Sequence, residues 1–280
     1  MSAIVPVDLR EIRSALKSPE NFDMAVTQIS HAMLEKPQAP CGVRHLFYPG
    51  VYIRELTMLK GTFIVGLRHR IPLLNVMVKG RIRILSSDGS SCELSAPVMF
   101  YGKPDTRKVA YVLEEVTWLN VYETNERDVE TLERIMFDMD EIPRPYLGLL
   151  PENDYPQMLK DIGCTEDQLR AESECEHDLC DFPNGPYKVK VGRSRIEGKG
   201  LIATADIAQG EVIAYARIGG RRTPAGRYTN HSGDPNATFV VHEGDVFLIA
   251  LRDISGCVGG IDGEEITVNY RHVPRAEQLT

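Results

Sequence analysis

RSRIEGKGLIATADIAQGEVI, residues 193–213, sets two strand-like runs on either side of a glycine-flanked turn, and the fold is read outward from it. Gly198-Lys199-Gly200 places two residues without a Cβ around one lysine. Such a turn is either a plain β-turn or a place where main-chain atoms approach a bound molecule closely. Two further stretches follow in order, RYTNHSGDPNA at 227–237 and GEEITVNY at 263–270. Each is weak alone, because glycine turns and Asn-His pairs occur in many unrelated chains. Their order and closeness carry the information.

The rest of the composition bounds what surrounds them. The chain has 280 residues, 42% hydrophobic and 26% charged, enough for two domains of ordinary globular composition. No apolar run approaches the roughly 18 residues of a membrane helix, and the start, MSAIVPVDLREIR, lacks a secretory pattern. A cytoplasmic location is expected. The net charge of −8 is concentrated: residues 151–186 hold 2 Lys/Arg against 10 Asp/Glu, while the flanking parts are near neutral. No basic nucleic-acid footprint exists. The acidic run from Glu152 to Asp181 reads as a solvated connector, or as a patch that steers a lysine-rich partner. Cys41, Cys92 and Cys257 read as reduced structural thiols. Cys164, Cys175, His177 and Cys180 are too loosely spaced for a firm zinc site, so no metal is expected.

Residues 1–142 read as a β-rich domain with flanking helices. Phe22, Ala25, Val26, Ile29, Met33 and Leu34 recur at helical spacing, with Asn21 as the expected cap. From Val51 to Val121, TFIVGL, LLNVMV, RIRIL and VTWLNVY predict short strands, separated by turns at Lys60-Gly61, Lys79-Gly80, Asp88-Gly89 and Pro104-Asp105. Asp128, Val129, Leu132, Ile135 and Met136 predict a closing helix. A histidine before a strand, a Lys-Gly pair after it and the later PxxFxxKPDTRKVAY resemble a cupin, or RmlC-like jelly-roll barrel. The metal-binding members of that family use several histidines and a glutamate. Here His69 stands alone, with Leu73 and Tyr122 near the other ligand places. The resemblance therefore implies a metal-free binding or dimerisation module, with a possible homodimer through it. Residues 143–186 read as an acidic, proline-containing connector with helical patches at Tyr155–Ile162 and Thr165–Ala171.

The three C-terminal stretches together resemble the SET-domain methyltransferases, over residues 187–280. The resemblance implies a β-clip with a knot-like crossing, and a mainly β (α+β) chain as a whole. It implies S-adenosylmethionine as cofactor, held by Gly198, Lys199, Gly200, Asn230 and His231, and Tyr270 as the catalytic residue at the target nitrogen of a protein lysine. Asn230 and His231 have a second reading, as braces of the crossing; Tyr270 has one as a core aromatic. Glu264 and Glu265 read as solvated or structural. Methyl transfer from a sulfonium needs alignment and an uncharged amine. A free lysine, with a pKa of about 10.4, is neutral at pH 7 only at a cost of about 4.6 kcal/mol, which a desolvated channel beside a cation reduces.

Three departures bear on the substrate side. Only 13 residues separate Ile213 from Arg227, where the family inserts a substrate-holding subdomain. Ala216 stands at an expected channel aromatic, with Tyr215 one place off. No cysteine triplet follows Tyr270, and His272 lies where a further aromatic would be. The expected function is lysine methylation of a protein partner, with no nucleic acid and no membrane. Its rival is a non-catalytic assembly protein that keeps both folds as scaffold. The combination is similar to bacterial or bacteriophage proteins.

Overall fold

The computed structural model describes residues 19–34, 36–86, 90–138 and 154–273. The turn predicted at Asp88-Gly89, and the 142/143 boundary, lie outside the described residues. Contacts divide the chain into one unit of residues 1–126, 131–145 and 258–260 and another of residues 127–130, 146–257 and 261–280. The described part of the acidic segment, residues 154–186, thus lies in the C-terminal unit.

The N-terminal unit opens with helix α1 (Pro19–Leu34). It begins two residues before the expected Asn21 cap. Phe22 and Val26, one turn apart, are fully buried and pack with Val109. Seven antiparallel strands follow: β1 (Val43–Tyr48), β2 (Val51–Met58), β3 (Phe63–Val65), β4 (Leu73–Ser86), β5 (Ser91–Ser95), β6 (Val98–Gly102) and β7 (Lys108–Glu123). The pairing runs β5-β4-β7-β2-β1, with β3 on β7 and β6 on β4. This path does not close into a barrel among the described residues, where a jelly-roll barrel was expected. LLNVMV and RIRIL are one strand. Lys79-Gly80 is a bulge within β4 and not a turn between strands: Gly80 has φ +89°, and a Cβ there would lie 2.0 Å from the Glu115 carbonyl. Met58, Met77, Ile82, Ile84, Val112, Val116 and Trp118 form the core. Helix α2 (Val129–Met136) buries Val129, Leu132 and Met136 and leaves Ile135 exposed.

In the C-terminal unit come helices α3 (Tyr155–Ile162) and α4 (Glu166–Glu174), the latter closed by a Thr165/Gln168 capping box. Short strand β8 (Gly185–Tyr187) precedes two four-stranded sheets. One has the order β13-β16-β10-β9, from β9 (Val189–Arg193), β10 (Lys199–Ala203), β13 (Asn230–His231) and β16 (Glu265–Val268). The other has the order β12-β11-β15-β14, from β11 (Val212–Ile218), β12 (Arg221–Arg222), β14 (Ala237–His242) and β15 (Asp245–Ala250). The short span after Ile213 holds the end of β11, the Gly219-Gly220 turn into β12, and helix α5 (Pro224–Arg227).

Beside β16 the chain crosses itself. β13 runs parallel to β16, whereas β10 runs antiparallel on its other edge. Asn236, 2% exposed, completes the crossing with its side chain: Nδ2 donates to the Glu265 carbonyl at 2.8 Å, and Oδ1 accepts from the Thr267 N–H at 2.8 Å. Asn236→Ala would leave both main-chain groups buried without these partners. A loss of about 2 kcal/mol is expected, measured as a lower urea midpoint for the C-terminal unit's transition.

The acidic run is not simply solvated. The Asp178 carboxylate takes the Arg222 guanidinium at 2.8 Å and Arg217 at 3.3 Å, and Cys180 N–H donates to the Arg222 carbonyl at 2.8 Å. Arg222 is buried, so Asp178 supplies its counter-charge. Glu172 and Glu174 stay exposed.

Candidate functional site

The hairpin between β9 and β10 closes with Ser194 N–H donating to the Gly198 carbonyl at 3.0 Å. Gly198 has φ +55°, with nothing within 4 Å of the place a Cβ would take, so glycine is needed there for the turn. Gly200 is different. A Cβ on it would meet Glu265 Oε1 at 2.3 Å and Glu265 Cδ at 2.7 Å. The space that its missing side chain opens is taken by a carboxylate of this chain.

That carboxylate ties the three stretches together. Glu265, 8% exposed, accepts from Ser194 Oγ at 2.8 Å, from Arg195 N–H at 3.3 Å and from Asn230 Nδ2 at 2.8 Å. Asn230 Nδ2 also lies 3.0 Å from Ser194 Oγ and 3.2 Å from the Lys199 carbonyl. Lys199 opens β10 and is exposed, with its ammonium 3.2 Å from Glu130 Oε2. The Asn230 side chain therefore braces the crossing. Its main-chain groups lie on β13 beside Thr267.

His231 is buried, and both ring nitrogens are engaged. Nδ1 accepts from the Tyr270 N–H at 3.2 Å, so the proton sits on Nε2, which donates to Asp154 Oδ1 at 2.7 Å. The other oxygen of Asp154 takes Arg271 Nη1 at 2.8 Å, and Arg271 Nε reaches Asp161 at 2.7 Å. Gly233 makes room for this: a Cβ there would lie 3.0 Å from Asp154 Cγ. Arg271 belongs to the 3-10 turn Tyr270–His272, so Asp154 holds the ring of His231 and the turn bearing Tyr270 at once.

Burial opposes ionisation of Asp154, yet hydrogen bonds from Arg271 and His231 outweigh it and hold its pKa below the ordinary value. A depressed carboxylate lends stability above its unfolded pKa, about 3.9, and loses it as pH falls through the folded value. Asp154→Asn is thus expected to lower the melting temperature at pH 7 and to flatten its fall below about pH 4. Thermal melts of both forms at pH 7 and pH 3 check this; parallel shifts at the two pH values would contradict it.

The Tyr270 hydroxyl donates to the Thr229 carbonyl at 3.1 Å, immediately before Asn230-His231. Its ring centroid lies 5.3 Å from that of His231, and Tyr155 lies 6.4 Å from His231 on α3. Burial first, then Tyr155, Glu197 and Glu265, push the Tyr270 pKa well up. The hydroxyl is a neutral phenol at neutral pH, kept so first by burial and then by the Glu197 and Glu265 carboxylates. Tyr215 packs against Phe247 at 4.5 Å between ring centroids, and the bulges on either side of its strand set that facing. His272 is exposed.

Asp154, Tyr155 and Arg271 were missed by sequence reasoning, and Glu265, read there as solvated or structural, has the structural place. Asp154-Tyr155-Pro156 reads only as a helix start, and nothing beside Glu265 in sequence names the groups it would hold. Among the described residues, no three or more His, Cys, Asp or Glu side chains gather to hold a metal ion, and no helix is long and apolar enough to cross a membrane. In the N-terminal unit, His69 Nδ1 lies 3.0 Å from the Tyr122 hydroxyl, and burial, with Lys108 and Arg54 nearby, lowers its pKa to about 3.

Solved structures similar to the N-terminal region include cupin and RmlC-like proteins. An RmlC-like cupin family protein with a double-stranded β-helix fold from Methanocaldococcus jannaschii is 11% identical, covering 30% of this chain and 81% of that one, at a TM-score of 0.27. KdgF from Halomonas sp. is 17% identical, covering 29% and 80%, at 0.26. The Clostridium difficile EutQ protein is 15% identical, covering 30% and 68%, at 0.26. No curated protein sequence matches the chain. Residues 218–271, which hold the Asn230-His231 strand, β16 and Tyr270, match the family model of the SET domain, and the C-terminal part of the chain carries a SET domain.

Proposed function

We propose that this chain transfers a methyl group from S-adenosylmethionine to the side-chain amine of a protein lysine. The observation that carries the reading is the Tyr270 hydroxyl, 3.1 Å from the carbonyl of Thr229 and next to the Asn230-His231 strand. The electrostatics of the place support it. The Glu197 and Glu265 carboxylates make the surroundings of that hydroxyl more negative, and aromatic rings beside it suit a cation further. A sulfonium is such a cation, and the residues present fit it.

The side chains named for the cofactor act mainly on one another. Gly198 and Gly200 shape the hairpin, the Lys199 ammonium is paired with Glu130, and Asn230 and His231 brace the crossing. In this reading the cofactor is held by main-chain groups of residues 194–200 and 229–231, which those side chains fix in place. When bound, S-adenosylmethionine supplies an activated methyl group. Tyr270 donates its proton to Thr229, so its oxygen lone pairs accept an amine N–H and turn the nitrogen lone pair toward the methyl carbon. Desolvation of the amine beside a cation favours its neutral form.

Calorimetric titration with S-adenosylmethionine tests the cofactor. Saturable binding by the wild type, lost or at least tenfold weaker in His231→Ala, is expected. A wild type that takes up none would end the enzyme reading. The internal engagement of Lys199, Asn230 and His231 favours a second reading, in which the domain is a scaffold. Binding without any transfer to a lysine-rich protein pool would support it.

A further inference from the structure

The N-terminal sheet is apolar on the side away from its core as well as toward it. Met77 on β4 and Trp118 on β7 stand opposite each other and belong to the core. Side chains alternate along a strand, so the residues on either side of these two face outward. On that outer side one row of directly opposed residues crosses five strands: Leu46 on β1, Ile53 on β2, Val121 on β7, Leu74 on β4 and Tyr101 on β6. Leu74 is 41% exposed and Tyr101 65%. The next row, in the same strand order, is Arg44, Glu55, Leu119, Val76 and Met99, with Met99 68% exposed. Exposed Tyr48 and Val78 extend the patch at its two ends.

An antiparallel sheet with only one face on a core carries polar residues on the other. A contiguous exposed apolar face marks contact with another molecule. Charge says what kind. Arg44 and Glu55, the charged members of the two rows, close on each other, with Arg44 Nε 2.7 Å from Glu55 Oε1 and Nη2 2.9 Å from Oε2. Glu123 lies at the margin, where β7 ends. The middle of the face therefore offers a partner no net charge, and a lysine-rich protein would find no counter-charge there. It fits a surface as flat, neutral and apolar as itself.

Size agrees with a second copy. Outward residues repeat every ~6.8 Å along a strand and strands lie ~4.8 Å apart, so the patch has a flat footprint of about 400 Å². Protruding side chains such as Tyr101 and Met99 expose more than their footprint. Two such faces laid together bury about 1,000 Å² in all, which is what a specific interface needs. We propose that this face pairs two copies of the chain through the N-terminal unit, with the row from Leu46 to Tyr101 on the same row of the partner. Such a contact is isologous and closes as a dimer, leaving no free copy of the patch. It is independent of the methyl-transfer reading.

Sedimentation equilibrium of the full chain over a range of concentrations tests this. The wild type is expected at twice the chain mass in the micromolar range. Leu74→Glu and Tyr101→Glu each put a carboxylate into the row, and the symmetry puts it there twice. Each is expected to raise the dissociation constant of the dimer by about 100-fold or more. Both side chains are exposed and lie away from the core, so the fluorescence of the single tryptophan, Trp118, is expected to show a folded sheet in both variants. Ile135→Glu, at an exposed apolar position on α2, is the control and is expected to stay dimeric. Should Leu74→Glu fail to fold, Tyr101→Glu, the more exposed position, decides the matter. A wild type at single mass throughout, folded variants as dimeric as the wild type, or an Ile135→Glu chain that dissociates as readily as they do would each overturn the proposal.

Discussion

Tyr270→Phe is expected to slow methyl transfer by about 100-fold while leaving S-adenosylmethionine affinity within about threefold. The substitution removes one hydroxyl and little else. The main-chain N–H of residue 270 still donates to His231 Nδ1, the ring still lies against His231, and Asp154 still holds the neighbouring Arg271. The cofactor contacts proposed for the 229–231 main chain would therefore be kept. What disappears is the oxygen that would hold the amine, and a nitrogen misaligned by about 1 Å is enough for a loss of that order. The Thr229 carbonyl also loses its donor, a stability cost of about 1 kcal/mol. Transfer of labelled methyl to a lysine-rich protein pool gives the rate, and calorimetry gives the affinity. Equal rates in both forms would remove Tyr270 from the chemistry.

The strand character of both halves was legible because alternation and turn residues act locally. TFIVGL, VTWLNVY and the two runs around Gly198 all became strands, and the helical patches at Tyr155 and Thr165 formed where expected. Lys79-Gly80 misled for a physical reason: a glycine at positive φ serves a bulge as well as a turn, and only the partner strand decides between them. The site was legible as motifs and not as roles. Nothing near Gly200 in sequence announces that Glu265, sixty-five positions on, would fill its open side, nor that Asp154 would fix His231 from a preceding helix. Those assignments depend on which chain segments cross, and a crossing leaves no periodic trace. Likewise the 13-residue span after Ile213 looked like a deletion, yet Asp178 and Cys180 pair with β12 at its edge.

Gly200→Ala is expected to destabilise the C-terminal unit by about 3 kcal/mol, whether or not cofactor is present. The added carbon would lie 2.3 Å from Glu265 Oε1, and Glu265 has no easy way out. Ser194 Oγ, Arg195 N–H and Asn230 Nδ2 all hold its carboxylate, so any retreat breaks charge-assisted hydrogen bonds inside the protein. Removing the obstacle should relieve the clash. Glu265→Ala is itself costly, because Ser194 and Asn230 lose their acceptor, but the second substitution adds little once the first is made. A coupling of about 2 kcal/mol between the two is expected from a double-mutant cycle in urea. A glycine needed only for close approach of a cofactor behaves otherwise. Gly200→Ala would then melt like the wild type, show no coupling to residue 265, and lose S-adenosylmethionine binding alone.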